Sequence, residues 1–227
     1  MLLYRLGLLG YRLLLWVASS FHPKAKLFLK GRKRLFEDLE ATFSRNENPV
    51  FWIHCASLGE FEQGRSLIES WKKEHPNHKI LLTFFSPSGY EIRKNYPLAD
   101  AVFYLPLDSP QNAKRFLDVV RPSVAVFIKY EFWYFFLREL QRRNIPTVSV
   151  AAIFRSEQYF FKPFGGFGRK TLRLFSHFFV QDESSKKLLQ KIGVTAVSVT
   201  GDTRLDRVAQ IRESAKQFPE IDVFLEE

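Results

Sequence analysis

From about residue 47 onward the apolar positions gather into short runs that alternate with helix-spaced stretches. The run Val50–Cys55 is apolar or aromatic at nearly every position, the pattern of a strand buried on both faces of a parallel sheet. Ala56, Ser57, Leu58 and Gly59 then turn the chain, and a helical pattern follows through Leu67, Ile68 and Trp71. Further strands are predicted at 79–85, 101–105, 123–128, 147–151, 177–180 and 196–199. Between them the spacing predicts a short helix after Ser86-Pro87-Ser88-Gly89 and longer ones at 110–120, through Arg142, at 164–175 and at 183–191. Asp108 or Ser109 is placed to cap the helix at 110–120. This alternation predicts an α/β fold, a Rossmann-like, doubly wound, mostly parallel sheet over 47–205 with right-handed crossovers. After Gly201 the alternation stops, and 206–227 read as a connector or tail towards a second domain. One α/β layer followed by a connector is the pattern of half of a two-domain protein.

The first 46 residues follow a different pattern. Residues 1–21 are mostly Leu, Tyr, Trp and Val, interrupted by Arg5 and Arg12, which fall on one side of a helix. No small-residue cleavage site follows a compact apolar core, which argues against a removed signal peptide. An interfacial or membrane-anchoring helix is expected, with Tyr4, Tyr11 and Trp16 suited to the headgroup boundary. A core helix with a solvated basic face and a single membrane span fit the same residues. Residues 22–46 read as a basic connector.

Charge sharpens this picture. Residues 1–36 contain eight Lys or Arg and no acid, so they hold +8 of the formal +10 and leave +2 for the remainder. A near-neutral body argues against nucleic acid as a partner. A basic run from Lys24 to Arg34 beside an apolar helix suits anionic lipid on a cytoplasmic membrane face. With 46% hydrophobic residues and 24 Phe in 227 residues, the chain can build one large α/β core with appendages. Cys55 is the single cysteine, so no disulfide framework or Cys-based metal site exists, and a reducing compartment fits.

The predicted carboxyl edge of the sheet gathers the candidate chemistry. Its turns carry Ser57, Gly59 and Glu60, then Ser86 and Ser88, then Lys129 and Glu131, and finally Arg155. Open α/β sheets place their ligands at this edge. Glu60 stands three residues after Ser57, the spacing of a capping box, and it also stands where a carboxylate can serve as general base. Glu131 can likewise be a binding-site acid or the structural partner of Lys129 or Arg155. Two carboxylates among hydroxyls and cations suit a polyhydroxylated, acidic ligand.

Several chemistries are excluded. No G-x-G-x-x-G follows a strand and no G-x-x-x-x-G-K-[ST] occurs, so no dinucleotide cofactor or P-loop is expected. There is no Asp-x-Asp, and the five histidines, at 22, 54, 75, 78 and 177, lack ligand spacing, so no metal site is expected. His54 lies within the first strand and reads as a satisfied core histidine; Cys55 reads as a small buried hydrophobe.

HCASLGEFEQG, TFFSPSGYE, YLPLDSP, RFLDVVRPSVAVFIKYEFW and VTGDTRLD occur in this order. Together they resemble the N-terminal half of the 3-deoxy-D-manno-octulosonic acid (Kdo) transferases, over about residues 1–210. The resemblance implies the N-terminal, acceptor-binding domain of a GT-B glycosyltransferase with a membrane-associated N-terminal helix. It further implies inverting, metal-independent transfer of Kdo from CMP-Kdo to a lipid A precursor, without a cofactor, at the cytoplasmic face of the inner membrane in lipopolysaccharide biosynthesis. CMP-Kdo would be held mostly by a second domain. Within the resemblance Glu60 matches the general base, Ser57 and Gly59 the turn before it, and Glu131 the acid of an E-x-E-x-W-like motif. Lys129 departs from it, standing where many members have an acid. A non-catalytic, membrane-tethered α/β binding module for an acidic sugar or phosphate ligand is the alternative from a different class.

Overall fold

The computed structural model describes residues 2–203, so the tail expected over 206–227 lies outside the described residues. Three helices come first: α1 (Leu2–Ala18), α2 (Pro23–Lys30) and α3 (Leu35–Phe43). The alternating part follows as β1 (Val50–Cys55), α4 (Leu58–Glu74), β2 (Lys79–Phe84), α5 (Pro87–Arg93), β3 (Ala101–Tyr104) and α6 (Pro110–Val120). It continues as β4 (Pro122–Ile128), α7 (Tyr134–Arg142), β5 (Thr147–Ala152), α8 (Gly166–Leu172), β6 (His177–Val180), α9 (Glu183–Lys191) and β7 (Val197–Val199). All seven strands pair in parallel in the order β3-β2-β1-β4-β5-β6-β7.

The strand order reverses between β1 and β4, which places the topological switch point at the carboxyl ends of these two strands. Every residue of β1 is buried, because helices cover both faces. Phe51 and Ile53 face a core with Phe61 and Ile68 of α4 and with Phe84. Trp52 faces the opposite core, where its ring meets Phe116 of α6, Phe127 of β4 and Phe136 of α7. Burying such an apolar or aromatic side chain contributes about 1.5–3 kcal/mol. Gly64 lets α4 approach the sheet, since a Cβ there would lie 3.1 Å from Cγ1 of Ile128. That close packing fixes the first turn of α4, with Glu60, above the switch point.

Two local expectations change, and the cap of α6 falls to one of its two candidates. Residues 22–46 hold two helices instead of a connector, because Leu35, Leu39 and Phe43 recur every fourth position and are buried in the main core. The helix expected at 164–175 is shorter, since Gly165 sits against the Tyr159 carbonyl where only glycine fits, and α8 begins at Gly166. Ser109 caps α6, accepting from the Asn112 N–H at 3.1 Å. Asp108 instead accepts the N–H groups of Phe135 and Phe136, each at 3.1 Å, at the start of α7.

Asp108 also fixes α1. The Tyr4 hydroxyl donates to Oδ2 of Asp108 at 2.6 Å, and its ring packs on Tyr134, Phe135 and Phe167. Further along the helix Tyr11 stacks on Phe85. α1 therefore lies across the carboxyl edge of the sheet, turning Tyr4, Leu8 and Tyr11 towards the domain. Its other side leaves Leu2, Leu3, Leu6, Leu13, Leu14, Trp16 and Val17 exposed, Leu3 by 84%. No single helix among the described residues is long and apolar enough to cross a membrane.

Candidate functional site

Glu60 occupies the third position of α4, and its carboxylate reaches back to the preceding turn. Oε2 accepts the Ser57 N–H at 3.1 Å, the reciprocal arm of a capping box. The two sequence readings of Glu60 are thus compatible, because the cap holds the carboxyl at the mouth of the switch point. Burial, reinforced by the like charge of Glu131, pushes the Glu60 carboxyl up to about 7. The Ala56 and Ser57 N–H groups and the Lys129 cation act in the opposite direction and are outweighed.

Glu131 lies on the loop after β4 and does not pair with Lys129 or Arg155. Its Oε2 accepts the indole N–H of Trp133 at 2.7 Å and lies 3.1 Å from Nε2 of His54. The His54 side chain is fully buried, and Nδ1 lies 2.9 Å from the Thr83 hydroxyl. That hydroxyl accepts the Trp52 indole N–H at 2.9 Å. Nδ1 also lies 3.1 Å from the Thr83 carbonyl, so both polar atoms of Thr83 hold the ring on that side, while Nε2 faces Glu131 and the Trp133 indole N–H. Trp52, Thr83, His54 and Glu131 therefore form one line of hydrogen bonds running from the core to the cleft. His54 is the satisfied core residue expected from the sequence, and its partner is the candidate acid.

The remaining candidates divide. Ser86 and Ser88 share a hydrogen bond of 2.7 Å between their hydroxyls, and the Ser86 N–H donates to the Ala56 carbonyl at 2.8 Å, tying their turn to that of Glu60. Gly59 has open space about it, since a Cβ there would meet nothing within 4 Å. Lys129 adopts a left-handed conformation, φ +62°, as the chain leaves β4. Ala151, at the bulge in β5, does the same at φ +61°. Two such residues on neighbouring strand ends are the kind of backbone strain that collects at functional sites. Arg155 stands apart on the loop after β5, exposed, its N–H donating to Oε1 of Gln158 at 3.1 Å. A cleft of about 530 Å³ opens at this edge, lined by Glu131, Trp133, Tyr130, Tyr159, Phe160 and, from α1, Tyr4. Cys55 is buried and its thiol is pushed well up by burial, as a packing residue would be. Among the described residues no three His, Cys, Asp or Glu side chains converge as a metal-ligand set.

Sequence reasoning missed the roles of Thr83, Trp133 and the His54–Glu131 contact. One signal was available: an ionisable side chain in a strand buried on both faces, one turn before the candidate base.

Similar proteins are found among known sequences and structures. The chain is 36% identical over 103 residues to the 3-deoxy-D-manno-octulosonic acid transferase of Haemophilus influenzae, covering 44% of this chain and 24% of that protein. It is 35% identical over 103 residues to that of Aquifex aeolicus, covering 43% and 28%. With the protein of the same description from Chlamydia trachomatis serovar D it shares 27% identity over 187 residues, covering 79% of this chain and 43% of that protein. The match spans less than half the length of each of these relatives.

Among solved structures, UDP-GlcNAc 2-epimerase from Neisseria meningitidis superposes with a TM-score of 0.53 at 19% identity, over 73% of this chain and 50% of the other. The enzyme from Methanocaldococcus jannaschii gives 0.55 at 17% identity, over 77% and 52%. At such identity the likeness concerns the fold, and it bears out the Rossmann-like α/β domain of GT-B type expected from the sequence. A family model described as 3-deoxy-D-manno-octulosonic-acid transferase (kdotransferase) matches residues 32–207, which include the loops of Glu60 and Glu131; the chain belongs to that family.

Proposed function

We propose that this domain is the acceptor-binding, base-carrying half of a glycosyltransferase that moves Kdo from CMP-Kdo to a lipid A precursor in lipopolysaccharide assembly. The observation that carries the reading is Glu60, a half-buried carboxyl with its proton affinity raised to about 7, held at the switch point beside the Glu131–His54 pair. An acceptor hydroxyl attacking the anomeric carbon forms the new C–O bond and gives its proton to Glu60. The bond from that carbon to the CMP phosphate oxygen breaks, and its electron pair leaves with CMP. A single displacement of this kind inverts the anomeric centre. A general base matched to neutral pH serves such a step best. Glu131, fixed by His54 and Trp133, lines the neighbouring cleft, which Glu60 does not line, so the attacking hydroxyl would reach from that cleft to Glu60. The donor nucleotide would be held mainly by a second Rossmann-like domain.

The test is transfer from CMP-Kdo to a lipid A precursor by a polypeptide that joins this domain to a second one, in the presence of EDTA. Turnover under chelation is expected. Loss of turnover restored by one specific metal would overturn the metal-independent mechanism, and ligand binding without transfer at any metal concentration would favour the non-catalytic binding module.

The same proposal places the domain on the cytoplasmic face of the inner membrane through α1. The exposed leucines of α1, Trp16 and the lysines of α2 form an apolar face beside positive charge, which suits an interface. One residue of the basic run is not available for this: Arg32 is turned inward, donating to the carbonyls of Leu105 and Phe85 at 2.9 and 2.7 Å. Replacing Leu3, Leu6 and Leu13 by Gln is expected to abolish sedimentation with anionic liposomes while leaving the domain folded. Unchanged sedimentation would put the membrane contact elsewhere.

A further inference from the structure

Beneath α1 lies a second cavity, of about 670 Å³, which neither Glu60 nor Glu131 lines. Its volume falls within the range of small-molecule sites, about 300–1,000 Å³. Four cations line it, Arg5, Arg12, Arg32 and Lys33, against a single carboxylate, Asp108. Asp108 is already engaged by the Tyr4 hydroxyl and the N–H groups of Phe135 and Phe136. The side chains that line the cavity therefore carry a surplus of positive charge.

Arg32 makes this imbalance acute. Its Nε, Nη1 and Nη2 donate to the carbonyls of Leu105, Phe28 and Phe85, and its guanidinium lies 3.6 Å from the Phe28 ring centroid and 4.6 Å from that of Tyr104. Carbonyls and rings orient a guanidinium but carry no net charge. Among the described residues Arg32 has no carboxylate within ion-pair distance. Arg32 is half-buried, and a cation drawn partly out of water without a counter-charge is costly; an anion entering the cavity relieves that cost. The first turn of α6, with Ser109, Gln111 and Asn112, also lines the cavity and adds the positive end of an 11-residue helix.

We propose that this cavity binds an anionic phospholipid. The phosphate sits among Arg5, Arg12 and Arg32, and the first carbons of the acyl chains run along Leu8, Leu9, Leu29 and Phe36. Lipid is favoured over free phosphate because the cavity is apolar on those sides and opens beside the exposed face of α1. Leu9 belongs to both, lining the cavity and exposed by 61%. This inference goes beyond the transferase reading and does not depend on it, since binding is measured without any transfer.

The experiment is calorimetric titration of the 227-residue chain with dihexanoyl phosphatidylglycerol below its micellar concentration. Saturable binding at one molecule per chain is expected, with dihexanoyl phosphatidylcholine and inorganic phosphate each about ten-fold weaker or worse. Arg5→Gln with Arg12→Gln should weaken phosphatidylglycerol binding by about ten-fold, while Lys24→Gln with Lys26→Gln, an equal loss of charge outside the cavity, should change it by less than about two-fold. Lys33→Gln, between α2 and α3, should act in the same direction as the Arg pair, by about three-fold, without touching α1. Equal binding of the two phospholipids, inorganic phosphate binding as tightly as phosphatidylglycerol, or both double variants weakening alike would overturn the proposal.

Discussion

Glu60→Gln, in a polypeptide that also carries a second Rossmann-like domain, is expected to lower kcat by about 10²- to 10⁴-fold with the fold intact. The glutamine side chain has the same length, and its carbonyl oxygen can still accept the Ser57 N–H that Oε2 accepts at 3.1 Å. The cap therefore survives the substitution, and the proton acceptor does not. Since the Glu60 carboxyl is raised from about 4.5 to about 7, the rate of the unsubstituted enzyme should climb with pH through about 7 and then level. The glutamine variant should lack that limb. Stability has the opposite sign. A carboxyl whose folded pKa is raised binds its proton more tightly in the folded state, so its contribution is present below about 4.5 and lost as pH rises through about 7. At pH 8 the variant should melt no lower than the parent. A near-normal kcat for Glu60→Gln would remove the base assignment and move it to Glu131.

The sheet was legible because its strands are buried on both faces and so read as dense apolar runs; Val50–Cys55 has no exposed position to interrupt it. The Glu60 turn was legible for a local reason, since Ser57 and Glu60 interact within one turn of helix. What was not legible depends on contacts across the sheet. His54 and Glu131 are 77 positions apart, and neither their pairing nor the Thr83 hydroxyl behind it leaves a mark on local spacing. Asp108 reads as a helix cap in the sequence and is one, but of α7, 26 residues ahead, instead of α6. Arg32 sits in a run of cations that reads as surface, and only the tertiary packing of Phe28, Phe85 and Tyr104 around its guanidinium shows it to be half-buried and turned inward. Charge counted along the chain gave the sum correctly and its placement wrongly.

His54→Phe is expected to lower kcat by about 10- to 100-fold although the side chain touches no substrate, because partners that orient a reacting group carry effects of that size. Phenylalanine keeps much of the volume and the aromatic contact with Phe127, 5.8 Å between ring centroids, but removes the ring nitrogens that face Glu131 and Thr83. The Thr83 hydroxyl keeps the Trp52 indole N–H, so what is lost is a buried hydrogen bond of about 0.5–1.5 kcal/mol, and a lowered melting temperature alone would say only that the residue is structural. The pH profile distinguishes the two roles. The like charge of Glu131 is, after burial, the largest influence raising Glu60. Without the His54 contact the Glu131 carboxylate is no longer held in its place near Glu60, its push on Glu60 weakens, and the acid limb of the rate should move below about 7. His54→Gln, whose amide N–H₂ can still reach towards Glu131, should restore both the limb and part of the rate. An acid limb that stays where it was in His54→Phe, with kcat near normal, would show that the histidine supports only the core.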